Sequence, residues 1–437
     1  MPRPIYYVGT PAEVAHHARP LMDAFDVRIE EPQDVVRHAQ PGDVCLFFNE
    51  FLNRFRVAHH ELVRKRCATL YAIDGILEWR SMWEFPGGDA CLWTGRPILS
   101  HKIACVGRSQ ARIFESWGHG RECELVGIPR FDALLGRSPR KRAAEEPFTI
   151  LVLTAKWPGF TEEQVHRASQ SLKDLKSYLE RNPTIGGMPV KSVWRITQGL
   201  EAEVGVDNTL KDTTGQDLAA MLQQVDAVVT TPSTAMLEGM LQGVPVALLD
   251  YNNCPHYVPA AWNITANEHF QQALAELVSP PPAKLHYQQH LLHDGLECTG
   301  PARSRLVELV ERMDSIAKRA VAEGTELTFP ARLLQGANDP ATADFTPLDH
   351  DRIFPGSALF DMNDALRLQL EVSDLRQAMA AANHKIAHQR DTLEWVEHQL
   401  AQKGLRQKVR RFQQKAGRVV RRLVNRTSDP KDEKRAA

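Results

Sequence analysis

The chain has 437 residues, too many for one ordinary domain and enough for two of about 150 residues with a remainder. Hydrophobic residues make up 43% and charged residues 24%, which excludes wholesale disorder; 53 Lys plus Arg against 54 Asp plus Glu exclude a generally basic nucleic-acid binder. The near balance hides a split, because residues 403–437 carry 13 basic and 3 acidic side chains and leave the first 402 residues at -11.

The N-terminal stretch has no apolar run of signal-peptide length, and nowhere do about 18 uninterrupted apolar residues occur, so no spanning helix is expected. In chain order, short apolar runs at 5–8, 43–48, 68–73, 103–106 and 124–126 read as strands, separated by polar helix-like stretches such as 57–66. Strand–helix alternation predicts a parallel sheet covered on both faces. The seven cysteines (Cys45, Cys67, Cys91, Cys105, Cys123, Cys254 and Cys298) are odd in number, widely spaced and free of any CxxC pair. That excludes a zinc ribbon and a disulfide framework and suits a reducing cytoplasm.

Residues 138–146 are charged and apolar-poor and read as a linker. A second alternation follows, with strands at 149–154, 193–196, 227–230 and 244–249 and helices at 161–181, 215–224, 233–242, 269–278 and 302–324. The expected fold class is therefore α/β, two doubly wound Rossmann-like αβ domains over 1–140 and 147–324. A proline-bearing linker follows at 325–357. Over 358–402, Ala365, Val372, Met379, Ile386, Leu393 and Leu400 fill one heptad position, and Leu368, Leu375, Ala382, Gln389 and Val396 the other. Five heptads predict a coiled coil, hence a homodimer or higher oligomer; a long amphipathic helix docked on its own domains is the alternative. In the tail, 403–437, ten basic and no acidic residues lie between Lys403 and Arg426. Leu405, Val409, Phe412, Ala416, Val419, Val420 and Leu423 recur there at helical spacing. This is the pattern of a basic amphipathic helix lying on an anionic membrane surface, placing the protein in the cytoplasm at the inner face of a membrane.

The stretch richest in chemistry is 225–250, VDAVVTTPSTAMLEGMLQGVPVALLD. A strand ends at Thr230, Pro232 breaks it, and Ser233 stands where a helix N-cap is expected. The hydroxyls of Thr231, Ser233 and Thr234 add donors at a helix start suited to phosphate, and Glu238 lies one turn on, suited to a ribose diol. A well-capped helix with no ligand remains the plain alternative.

The run P-S-T-x-x-x-E-x-x-x-x-G-x-P resembles the donor-nucleotide loop of glycosyltransferases with the GT-B fold, in particular those of bacterial surface polysaccharides. Residues 126–134, VGIPRFDAL, resemble the element that closes their N-terminal domain, and 103–117 resembles its lead-in. The resemblance covers roughly residues 4–324. It implies a donor on the second domain and an acceptor on the first, with a nucleotide-sugar as substrate, a glycan or lipid-linked acceptor, and no metal or other cofactor.

Lys156, after the strand 149–154, and Arg195, at the end of 193–196, are candidates for the diphosphate. Relatives carry R-x-H-P where this chain reads Arg195-Ile196-Thr197-Gln198. His256 is a candidate contact to the donor's base or sugar. In the first domain, Asp74 follows an apolar strand and is the candidate base for the acceptor hydroxyl, with Glu78 as the second choice; a plain Asp-Gly turn is the alternative. Asp349-His350-Asp351 mimics a metal motif but stands in the linker, and no metal is assigned to it. A sugar-nucleotide epimerase or polyol-phosphate transferase on the same fold, and a non-catalytic coiled-coil adaptor with a degenerate transferase body, are the rival readings.

Overall fold

The computed structural model describes residues 4–50, 52–73, 75–76, 98–143, 145–156, 159, 161–197, 199–207, 218–253, 256 and 258–334. Between 372 and 421 it describes positions 372, 375–376, 378–379, 382–383, 385–386, 389–390, 404, 406–419 and 421. The chain forms two compact units, Met1–Gln369 and Leu370–Ala437.

The first unit begins with β1 (Ile5–Val8), α1 (Pro11–Ala18), β2 (Val27–Glu30), α2 (Pro32–His38), β3 (Val44–Phe47), α3 (Asn53–Arg64), β4 (Ala68–Ala72), β5 (Lys102–Cys105), α4 (Arg108–Ser116) and β6 (Cys123–Leu125). These strands make one sheet in the order β2-β1-β3-β4-β5-β6, parallel at every pairing. Alternate residues serve opposite faces. Ile5, Tyr7, Val44, Leu46 and Leu70 enter one core, and Tyr6, Val8, Cys45, Phe47 and Tyr71 enter another. Burial on both faces is why these strands read as continuous apolar runs.

The chain continues through β7 (Phe148–Leu153), α5 (Glu162–Arg181), β8 (Thr184–Ile185), β9 (Met188–Arg195), α6 (Leu200–Val204), α7 (Leu218–Leu222), β10 (Ala227–Thr230), α8 (Ala235–Leu241), β11 (Val246–Leu249) and β12 (Trp262–Ile264). Then come α9 (Phe270–Val278), α10 (Pro282–Gly295) and α11 (Ala302–Glu323). The second sheet has the order β12-β11-β10-β7-β9-β8, parallel except for the β8–β9 hairpin. Without that hairpin strand, the second sheet repeats the order of the first five strands of the first sheet. The expected doubly wound α/β class is the one observed. Each sheet has its switch point between its first strand and the strand wound to that strand's other side, β1/β3 and β7/β10.

Three observations tie the two αβ halves together. Arg140, in the charged connection, holds Asp226 with Nε and Nη2, both at 2.9 Å, and Asp226 also accepts Thr149 N–H at 2.8 Å. The start of α4 meets the end of α10 so closely that a Cβ on Gly107 would lie 2.4 Å from the carbonyl of Gly295. The helix α11, expected to close the second αβ body, packs instead on the first sheet. Its Leu306, Leu309, Val310, Met313 and Ala317 join the core of Ile5, Tyr7 and Leu46.

The segment after α11 is fixed by a buried ion pair. Lys102 and Glu124, each 1% exposed, lie 2.7 Å apart. Lys102 also donates to the carbonyls of Arg121 at 2.9 Å and Ala331 at 3.2 Å, and Glu124 accepts Leu333 N–H at 2.7 Å and Leu334 N–H at 3.1 Å.

In the second unit every described residue is helical. The heptad residues Val372, Leu375, Met379 and Ile386 are exposed, as are Val409, Phe412 and Val419 of the tail helix. Among the described residues no helix is long and apolar enough to cross a membrane.

Candidate functional site

The second sheet's switch point lies between β7 and β10, the position at which open αβ sheets bind ligands. The loops leaving the carboxyl ends of these strands are laced by hydroxyls. Ala155 N–H donates to Thr231 Oγ1 at 2.9 Å, and Thr231 N–H returns to the Leu153 carbonyl at 3.2 Å. From β9, Thr197 N–H donates to Thr154 Oγ1 at 2.7 Å, and the two hydroxyls lie 2.8 Å apart. Thr197 thus fixes the turn that presents Lys156, whose side chain is exposed.

Residues 232–234 form a tight turn into α8. Thr234, just before α8, is already in αR conformation and caps nothing with its side chain; Ser233 Oγ accepts Ala235 N–H at 3.2 Å, the bond expected of a capping serine. The helix ends as its sequence predicts. Gly243 has φ +75°, its N–H reaches the Met240 carbonyl at 2.9 Å, and Val244 N–H reaches that of Gly239 at 3.3 Å, a Schellman motif.

Beside this turn, Thr231 and Pro232 border a small hollow with Leu249, Asp250, Tyr251 and Asn252. Asp250 accepts Asn252 N–H at 3.1 Å and pairs with His256 Nε2 at 2.9 Å. His256 is therefore held at the hollow's edge by a buried carboxylate. Arg195 directs Nη1 to Met221 Sδ at 3.7 Å.

Two contacts bring the first sheet's carboxyl edge onto the same turn. Ile76 N–H, just past β4, donates to Thr234 Oγ1 at 3.1 Å. Arg130, past β6, donates Nη1 to Glu238 Oε1 at 2.7 Å; Glu238 is 7% exposed. Arg130 also stacks on Phe131, its guanidinium 4.5 Å from the ring centroid. The element VGIPRFDAL therefore has three separate jobs. Arg130 meets Glu238, Phe131 enters the core, and Asp132 caps α11 by accepting the N–H groups of Ala302 at 2.7 Å and Arg303 at 2.9 Å. Sequence reasoning saw the element and missed the role of Arg130; an arginine beside an apolar anchor was the available signal. The first sheet's edge also bears a small cleft bounded by Tyr7, His16, His17, Ile73 and Arg130.

Asp74 and Glu78 lie outside the described residues. The chain re-enters at Ile98 into a buried polar cluster. Glu50 accepts Leu99 N–H at 2.8 Å and the Ser100 hydroxyl, and Ile98 N–H meets His119 Nε2 at 3.3 Å. His59 Nε2 lies 3.1 Å from Thr69 Oγ1, and Thr69 N–H donates to His101 Nδ1 at 3.1 Å. Burial raises the Glu50 carboxyl and drives both imidazoles down, His59 well below the ordinary range and His101 to about 4. Glu50, His59, Thr69 and Ser100 in this cluster are buried, and together they anchor the chain where it re-enters. Among the described residues no group of three or more His, Cys, Asp or Glu is placed to hold a metal.

No protein-family model matches this chain, and no curated protein matches it. Similar solved structures include S. aureus MnaA with UDP, 12% identical, covering 71% of this chain and 96% of that one at a TM-score of 0.46. The wall teichoic acid polymerase TagF is 10% identical, covering 74% and 90% at 0.47. A putative UDP-N-acetylglucosamine 2-epimerase from Listeria monocytogenes is 12% identical, covering 75% and 100% at 0.45. A likeness of this order concerns the arrangement of strands and helices and not an activity.

Proposed function

We propose that the protein is a glycosyltransferase that moves a sugar from a nucleotide-sugar, held at the second sheet, to a cell-surface glycan or lipid-linked acceptor at the first. One observation carries the reading. The loops leaving β7 and β10 at the second sheet's switch point are laced by hydroxyls, and loops from the first sheet's carboxyl edge touch the same turn through Thr234 and Glu238. Open αβ sheets bind ligands at that position. A transferase needs two such edges facing each other, one for each substrate.

In this mechanism Thr231, Ser233 and Thr234 line the diphosphate, and Glu238 exchanges Arg130 for the ribose diol. Lys156 and Arg195 offset the charge of the leaving phosphate without a metal. His256, positioned by Asp250, contacts the base or sugar. Asp74, next to the Gly75–Ile76 contact with the donor turn, removes the acceptor proton, with Glu78 as the second choice. The heptads pair two chains, and the basic tail docks on an anionic membrane at its inner face.

Turnover by Asp74→Asn is the test. A general base contributes about 10²–10⁴-fold, so activity falls by that factor while donor affinity stays. Near-native turnover would make Asp74 a turn residue. Product analysis separates the rivals, because an epimerase changes the nucleotide-sugar with no acceptor present.

A further inference from the structure

On α10, far along the chain from the residues assigned above, His286 and His290 stand four apart on one exposed helix face. Their Nε2 atoms lie 3.0 Å from each other, with ring centroids 4.5 Å apart and the rings near perpendicular at 84°. Two imidazole nitrogens converging on one point are the geometry of a chelate. For metal–nitrogen bonds of about 2.0–2.1 Å, a 3.0 Å separation subtends about 90–95° at the metal, two adjacent corners of a square or octahedron. A tetrahedral ion asks for a slightly wider pair, about 3.3 Å.

We propose that His286 and His290 form a surface site for a divalent transition ion of tetragonal or octahedral preference, Ni²⁺ or Cu²⁺ before Zn²⁺, with water at its other positions. The ion clips one turn of α10. That helix carries Asp294, which pairs with Arg112 at 2.7 Å, and Gly295, which is pressed against Gly107 where the two αβ halves meet. Holding the turn holds the helix that spans the junction. His293 lies farther along the same helix with its Nδ1 3.6 Å from Cys298 Sγ, and it takes no part.

The probe is Ni²⁺, titrated calorimetrically into the full chain, into the single variants His286→Ala and His290→Ala, into the double variant His286→Ala/His290→Ala and into His293→Ala. All three positions are exposed and alanine favours helix, so the variants fold. The double variant binds one equivalent less than the native chain. Each single alanine at 286 or 290 weakens that equivalent by at least about tenfold, a loss that even an outer-shell partner can cause. His293→Ala leaves it within about twofold, a change well below that outer-shell loss. Ni²⁺ raises the unfolding temperature of the native chain more than that of the double variant. An unchanged stoichiometry in the double variant overturns the site.

Discussion

Replacing Lys102 by methionine should unfasten the chain beyond α11 from the first sheet. All three ammonium protons are used, on Glu124 and on the carbonyls of Arg121 and Ala331. Methionine fills much of the volume and leaves the Glu124 carboxylate buried with only the two backbone donors of Leu333 and Leu334. Breaking a buried pair from one side costs about 3–5 kcal/mol, a large part of the roughly 5–15 kcal/mol that holds a domain folded. Adding Glu124→Gln removes the stranded charge and keeps an amide oxygen for Leu333 N–H. The double variant should recover about 1–3 kcal/mol of the loss. A chain of several lobes does not unfold in one step, so thermal midpoints should be paired with hydrogen exchange over 327–334. The expected order of protection is native, double variant, Lys102→Met. Native protection of Leu333 and Leu334 in Lys102→Met would refute the reasoning.

The remaining expectations concern acid and membranes. His101 has a folded pKa of about 4 against 6.5 unfolded, so the unfolded chain takes up the proton first. Stability contributed by the neutral ring is full above pH 6.5 and is lost as pH falls towards 4, about 3 kcal/mol in all. His101→Asn, whose amide oxygen takes the place of Nδ1 and still accepts Thr69 N–H, should flatten the thermal midpoint across that window relative to native; an unchanged slope contradicts it. Glu50, with its raised carboxyl pKa, slopes the opposite way, and His59, with its lowered imidazole pKa, slopes the same way as His101; both remain in both proteins. For the tail, the full chain should sediment with anionic vesicles at low salt and not with neutral ones, and truncation after Leu400 should abolish this. Equal sedimentation of the truncation would end the membrane reading.

Much of the architecture was legible because buried parallel strands are apolar on both faces. The runs at 5–8, 43–48 and 227–230 reappear as β1, β3 and β10. The strands β2 and β12 were not legible. β2 is only partly buried and charged at Arg28 and Glu30, and β12 is three residues long. The place of α11 was hidden for another reason. An amphipathic stripe says that a helix packs, not on which sheet, and a backbone capped by Asp132 of the first lobe decides it. Thr231, Ser233, Thr234 and Glu238 could be proposed together because strand, turn and helix are contiguous in the sequence. Arg130 was missed because it meets Glu238 across 108 residues of sequence, a separation that no local pattern encodes.

Calorimetric titration of the full chain with UDP-, GDP-, CMP-, CDP- and dTDP-sugars, repeated with Glu238→Ala, tests the central claim most directly. The account predicts that one nucleotide-sugar binds the native chain and that the variant binds it about 5- to 150-fold more weakly, the loss of one to three kcal/mol of polar contact, while remaining folded. Equal affinity in Glu238→Ala, or no binding of any nucleotide-sugar to the native chain, would contradict it.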